Sequence, residues 1–194
     1  YVNSQDINAM LFCVKYGNLE ISGLSDIINK WVANSIGETP ENRAEKANAL
    51  FFTLTYFDHH LKDNQQNIAE NDRFSRRLHS SLLEKFGRNE NSWAKDWDGN
   101  GGFKNCYWYR YPGALGQAYF NHIDGLERFT DLEDELNRVN QIKEMYLETP
   151  EITAHFADPL AAWDAAMTEN DGGASYLLGQ LSKVCSPDIK MNQL

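Results

Sequence analysis

The fold prediction rests on residues 39–61, TPENRAEKANALFFTLTYFDHHL. Thr39 followed by Pro40 is typical of a helix start, because threonine caps the first turn and proline fits its first position. The apolar residues that follow are spaced by four, three and four positions, as on one face of a helix. They are Leu50, Leu54, Phe57 and Leu61. We therefore predict a single helix from Pro40 to Leu61.

The same apolar rhythm recurs over most of the chain. Gly87 is a stop signal at the end of the apolar segment 74–86. Thr130 and Glu133 form a capping-box pattern at the start of another segment, which ends near Pro150. The further predicted helices cover 25–35, 74–86, 112–123, 130–149, 158–167 and 177–184. No repeat or linker interrupts them. We predict one mainly α domain over residues 1–194, a bundle of about seven helices.

One segment, residues 89–112, lacks helical spacing. It is rich in glycine, asparagine and aromatic residues, so we predict a structured loop with a short strand near 106–111. Two hypotheses explain why tryptophans are concentrated in this loop. They anchor the loop on the helices, or they form part of a binding surface, where Trp is enriched.

Charge is concentrated in one part of the chain. The protein has 28 acidic and 18 basic residues, and residues 124–171 contain 13 of the acids and only three bases. This surplus repels polyanions, so nucleic-acid binding is not expected, and it attracts basic surfaces. The alternative is a solvated face that only maintains solubility. No stretch is apolar enough to predict a membrane span.

A metal-loop motif lies at residues 96–103, DWDGNGGF. Acids at positions one and three, an amide at five, glycine at six and a carbonyl at seven are the oxygen ligands that Ca²⁺ prefers. The motif resembles the loop of EF-hand and related calcium proteins over eight residues. The predicted ligands are Asp96, Asp98, Asn100 and Gly102. The pattern is broken at position nine by Lys104 and at position twelve by Tyr107, and the alternative is a glycine-rich turn held by Asx hydrogen bonds.

The three cysteines, Cys13, Cys106 and Cys185, are too far apart for a C-x-x-C pair. In an oxidising compartment the preferred pair is Cys106 with Cys185, with Cys13 as a small buried residue; the alternative is three buried thiols in a reducing compartment. The sequence begins at Tyr1 rather than Met, which favours a processed chain. Together with the calcium-like loop and the cysteine pair, this predicts an extracytoplasmic, periplasmic or secreted location, with the cytoplasm as the alternative.

No complete catalytic signature occurs: there is no Gly-x-Ser-x-Gly elbow, phosphate loop or dinucleotide motif. The first functional hypothesis is therefore a non-catalytic inhibitor or immunity-type antagonist of a basic protein. Its predicted partner-binding residues are acids of one helix and two tryptophans: Asp131, Glu133, Asp134, Glu135, Glu144, Glu148, Trp97 and Trp108. The alternatives are a hydrolase with Asp/Glu/His acid–base or metal chemistry and a calcium-stabilised assembly protein.

Overall fold

A computed structural model describes residues 9–15, 23–46, 48–62, 72–114 and 118–184. A three-stranded parallel sheet lies at its centre, formed by β1 (Met10–Val14), β2 (Leu50–Leu54) and β3 (Cys106–Trp108) in that spatial order. In the register of the sheet, Phe52 lies beside Phe12 on one side and Cys106 on the other. Because the strands run parallel, helical segments connect them.

The predicted helix over 40–61 is wrong. The helix that Thr39 begins, α2, covers only Pro40–Ala44, and the hydroxyl of Thr39 accepts a hydrogen bond from the Asn42 amide at 3.4 Å. Every residue of β2 is buried, and a short 3-10 turn, Phe57–His60, follows it. A central parallel strand is covered on both faces, so its sequence is a continuous apolar run that by spacing alone resembles a buried helix.

Most other predicted helices are confirmed. α1 (Leu24–Trp31) continues as a π-helical turn, Val32–Ile36. α3 (Arg73–Leu78), a π-helical turn (His79–Leu83) and α4 (Glu84–Phe86) follow one another before Gly87. Three further predicted helices are present as α5 (Glu133–Glu148), α7 (Pro159–Met167) and α8 (Ala174–Val184). An additional helix, α6 (Pro150–His155), begins at the proline that is predicted from the sequence only as the end of α5. None of the helices in these described ranges combines the length and apolarity that a membrane span requires.

A second correction concerns the helix predicted over 112–123. Part of this segment is β4 (Phe120–Ile123), which pairs antiparallel with β5 (Leu126–Phe129). The two strands are joined by Asp124 and Gly125, both with positive φ, as in the tight hairpin turn that an Asp-Gly pair favours. With β3 confirming the strand predicted near 106–111, the fold is mixed α/β. The predicted mainly α bundle is wrong.

Local capping signals had mixed outcomes. Asp158 caps α7 as expected, since its carboxylate accepts from the Ala161 amide at 2.9 Å. Thr130 does not cap α5, because the helix begins at Glu133 and the Thr130 hydroxyl accepts from the Leu132 amide at 3.2 Å. The Thr130 side chain therefore stabilises the turn before α5 and not the first turn of the helix.

The core lies on both faces of the sheet. One face, with Phe52 and Leu54, contributes to the main cluster of buried residues, while Phe51 and Tyr107 pack on the other face with Leu177 of α8. Cys106 is a free, buried thiol and Cys13 is exposed. The structure thus disagrees with the predicted pairing of Cys106 and with the predicted burial of Cys13. Cys185 lies outside the described residues.

Candidate protein-binding surface

The outer face of α5 carries acids at its two ends. Val139, Ile142 and Tyr146 point inward and are buried, as helical spacing requires. The opposite face is exposed and contains Glu133, Asn137, Gln141, Glu144 and Glu148. Its acids are therefore separated by a neutral, amide-bearing middle, and the two ends of the helix are about 22 Å apart.

The amino-terminal acids have a structural explanation. Glu133, Asp134 and Glu135 occupy the first turn of α5, and Asp131 precedes it. Negative charge there is stabilised by the helix dipole and by unpaired backbone amides, and contributes about 0.3–1 kcal/mol per residue. Helix stability is thus a sufficient reason for the three acids of the first turn, and a binding role for these four residues stays a prediction.

The carboxyl-terminal end of α5 borders a cavity of about 370 Å³, which we call the acidic cleft. It lies where α3 packs against α6 and α5 ends. Its lining residues are Asp72, Ser75, Met145, Glu148, Thr149, Pro150 and Glu151. Three acidic residues therefore line one cavity, and one of them, Asp72, is also paired with Arg76 at 3.8 Å on the exposed side of α3. Of the predicted partner-binding residues only Glu148 is among them, with Glu144 one turn earlier on the same helix face.

Other acids of the 124–171 segment are already engaged in ion pairs or caps. Lys143 binds the Asp164 carboxylate at 2.6 Å, and Arg128 binds that of Glu169 at 3.2 Å. Glu127 is buried against Arg110. The acids of this segment are accordingly divided between these structural roles and the exposed positions on α5, rather than forming one continuous face.

The two predicted tryptophans lie in the core. Trp97 is 5% exposed and Trp108 is 2% exposed. Trp97 packs against Phe103, and Trp108 stacks on Phe156 with ring centroids 5.3 Å apart. Their burial favours the anchoring hypothesis, and neither residue belongs to the proposed surface.

The sequence did not reveal three residues of the acidic cleft, Asp72, Ser75 and Glu151, because no local pattern links α3 to the end of α5.

The loop predicted to bind calcium is a compact turn held by its own hydrogen bonds. The Asp96 carboxylate accepts from the Gly99 amide at 2.7 Å, and the Asp98 carboxylate accepts from the Asn100 amide at 2.9 Å. Arg43 donates to the Asp96 carbonyl at 2.9 Å. Burial lowers the pKa of Arg43, and the nearby Asp96 carboxylate partly offsets this. The guanidinium stays charged, so a cation placed here would be repelled.

The family model described as "Putative bacterial virulence factor" matches residues 1–194. The chain belongs to this family. No curated protein and no solved structure matches it.

Within the described part of this family member, no group of three or more His, Cys, Asp or Glu side chains is arranged to hold a metal ion. The calcium hypothesis for Asp96, Asp98, Asn100 and Gly102 stays a prediction. If calcium binds there, millimolar calcium should raise the melting temperature, because a ligand that binds only the folded state stabilises it. Asp98→Ala should abolish that rise. Equal melting curves with calcium and with EDTA would reject the site.

Proposed function

We propose that this family member is a non-catalytic binding protein of the inhibitor or immunity type, whose acidic cleft receives a lysine or arginine side chain of a basic protein partner. The observation that supports the proposal is the convergence of Asp72, Glu148 and Glu151 on one cavity. The extracytoplasmic location predicted from the sequence is retained as part of this proposal.

The lining of the cleft suits a long cationic side chain. Met145 offers an apolar wall for the aliphatic stem, and Glu148 and Glu151 are the lining acids for which no ion pair is found among the described residues, so they are the ones available to the charged end. Ser75 and Thr149 add hydroxyl oxygens that can accept from an ammonium or guanidinium group. Because Asp72 and Glu148 are exposed, this attraction is screened by salt, and binding should weaken from low to moderate salt.

The net charge of the chain supports the encounter with such a partner. At −10, it attracts a basic surface over distances comparable with the Debye length, about 8 Å at physiological salt. Complementary charge chiefly increases the association rate and the specificity, and a seated side chain slows dissociation. The net charge of the chain thus acts on the association rate, and the acidic cleft acts on the dissociation rate.

The test is charge reversal of the cleft in a pull-down from the native source at low and moderate salt. Glu148→Lys with Glu151→Lys should reduce recovery of the partner at least about tenfold, equivalent to about 1.4 kcal/mol. The control, Glu45→Lys with Glu90→Lys, makes the same change in net charge at exposed positions outside the cleft. It should lower recovery only slightly.

Two results would contradict the proposal. One is the absence of any specifically retained basic protein at either salt concentration. The other is an equal loss with the cleft variant and with the control, because net charge rather than the cleft would then account for binding.

A further inference from the structure

The turn of the β4–β5 hairpin is flanked by two exposed apolar side chains. Ile123 and Leu126 are paired directly across the two strands and are 57% and 48% exposed. Directly opposite residues place their side chains on the same face of a strand pair, so these two form one apolar patch. Asp124 and Gly125, which join them, are also exposed. We call residues 123–126 the hairpin tip.

The base of the hairpin is fixed by buried contacts. The Glu127 carboxylate is held by Arg110, and the Asn170 side chain accepts from the Glu127 amide at 2.7 Å and donates to its carbonyl at 3.1 Å. The Glu169 carboxylate accepts from the Phe129 amide at 2.7 Å. A two-stranded hairpin is only marginally stable by itself, and these contacts hold it in one orientation. A tip that is ordered before binding loses less entropy when a partner covers it.

The core of the protein does not require apolar residues at the tip. The aromatic residues of the hairpin that pack inward are Phe120 and Phe129, with ring centroids 5.2 Å apart. Ile123 and Leu126 lie on the opposite face of the strand pair, because successive side chains alternate between the faces. A single exposed apolar residue needs no explanation, but this pair is contiguous across a turn, where polar residues dominate. It is therefore a candidate contact surface.

The charge of the tip indicates the kind of partner. Arg128 is paired with Glu169 at 3.2 Å, so these two charges largely cancel. The Asp124 carboxylate then lies between the two apolar side chains, and the exposed Asp131 and Glu133 follow shortly after β5. A recess that is apolar inside and has a lysine or arginine at its rim complements such a tip.

We propose that the hairpin tip enters an apolar recess of the basic partner, with Asp124 bound to a lysine or arginine at the rim of that recess. This inference rests on the proposed function and adds a second contact to the acidic cleft. The two contacts differ in their response to salt. Burial of Ile123 and Leu126 removes apolar surface from water, which salt does not weaken, whereas the attraction exerted by the cleft is screened.

The test is the same pull-down from the native source, quantified for the basic protein that the unaltered chain retains. Ile123→Ser with Leu126→Ser should reduce its recovery at least about tenfold, because two buried apolar side chains are lost, and by the same factor at low and moderate salt. The control, Leu160→Ser with Leu178→Ser, removes apolar side chains that are 47% and 64% exposed on α7 and α8. It should change recovery less than about twofold.

A third variant, Asp124→Asn, separates the charge of the tip from its apolar pair. Asn-Gly favours the same hairpin turn as Asp-Gly, so the hairpin should be kept. Recovery should fall about threefold at low salt and by less at moderate salt, because a single exposed charge is screened.

Melting curves establish that each variant is folded. If the serine variant of the tip melts below the control, Ile123→Thr with Leu126→Thr repeats the test, since threonine keeps the strand propensity and removes most of the apolar surface.

The outcomes distinguish this inference from the proposed function. If the tip variants retain the basic protein while Glu148→Lys with Glu151→Lys releases it, the inference is overturned and the proposed function stands. An equal loss with the tip variants and with the α7–α8 control also overturns the inference. Loss with the tip variants alone supports it and contradicts the role of the acidic cleft. If the unaltered chain retains no basic protein at either salt concentration, both are refuted.

Discussion

Arg110→Met is expected to lower the free energy of unfolding by about 3–5 kcal/mol, because it leaves a buried carboxylate without its countercharge. Arg110 and Glu127 have side chains that are 0% and 1% exposed, and both guanidinium ends of Arg110 bond to the Glu127 carboxylate. The pair connects the end of β3 with strand β5 of the hairpin.

The arginine also satisfies backbone carbonyls of the α7 region, which increases the expected effect. Its side chain donates to the Ala166 carbonyl at 3.0 Å and to the Thr168 carbonyl at 3.1 Å. The guanidinium lies over the Phe120 ring, 3.7 Å from the centroid. Removing it would therefore leave several buried polar groups unpaired at once.

Urea denaturation followed by circular dichroism measures this effect. The control is Arg128→Met, whose pair with Glu169 has side chains 49% and 37% exposed and should contribute no more than about 1 kcal/mol. Arg110→Met combined with Glu127→Leu should recover part of the lost stability, because no buried charge then remains, although the Ala166 and Thr168 carbonyls still lack their donor. If Arg110→Met costs as little as Arg128→Met, the pair is not buried as described.

Trp108→Ala is expected to cost about 3–5 kcal/mol, the range for truncating a large buried aromatic residue. The Trp108 ring lies 5.3 Å from the rings of Phe57 and Phe156, measured between centroids. Its indole N–H donates to the Tyr146 hydroxyl at 3.3 Å. The substitution would leave a cavity among β3, the 3-10 turn and α5, and the Tyr146 hydroxyl would lose the hydrogen bond that the indole N–H donates to it.

The same denaturation experiment distinguishes a core role from a surface role. Tyr111→Ala, three positions along and 63% exposed, should change stability by no more than about 0.5 kcal/mol. Trp108→Phe should lose less than Trp108→Ala, since most of the ring is kept. A Trp108→Ala protein of normal stability would show that this side chain is not in the core and would return it to the list of partner-binding candidates.

The parts of the fold that could be predicted are those fixed by residues close together in the sequence. Pro40, Asp158 and Gly87 mark helix ends through their own backbone and side-chain chemistry, so those boundaries were correct. The failures were segments whose environment is set by distant residues. The helix predicted over 112–123 is an exception, because the signal against it is local: the Asp124-Gly125 turn pairs Phe120–Ile123 with Leu126–Phe129 as a hairpin.

The acidic charge of the candidate site could be predicted from the sequence, but most of its lining residues could not. The excess of acids in residues 124–171 is visible in the sequence, and it led to Glu148. Asp72 and Ser75 could not be found in this way, because they join Glu148 and Glu151 only after α3 packs against α6. The pairing of Glu127 with Arg110 was equally hidden, since the two residues are 17 positions apart and meet through the hairpin.

The amino-acid sequence by itself determined where several helices begin and end and where the net charge is concentrated, because these depend on neighbouring residues and on composition. Only the tertiary structure decided that Leu50–Leu54 is a strand and which carboxylates share a cavity. The physical reason is that a short run such as LFFTL, with four apolar residues and one threonine, can be buried in a helix or in a strand, and the choice depends on the segments that pack against it. β1 and β3 hydrogen-bond to both edges of β2, and helices cover its faces, so the extended conformation satisfies its backbone and its side chains together.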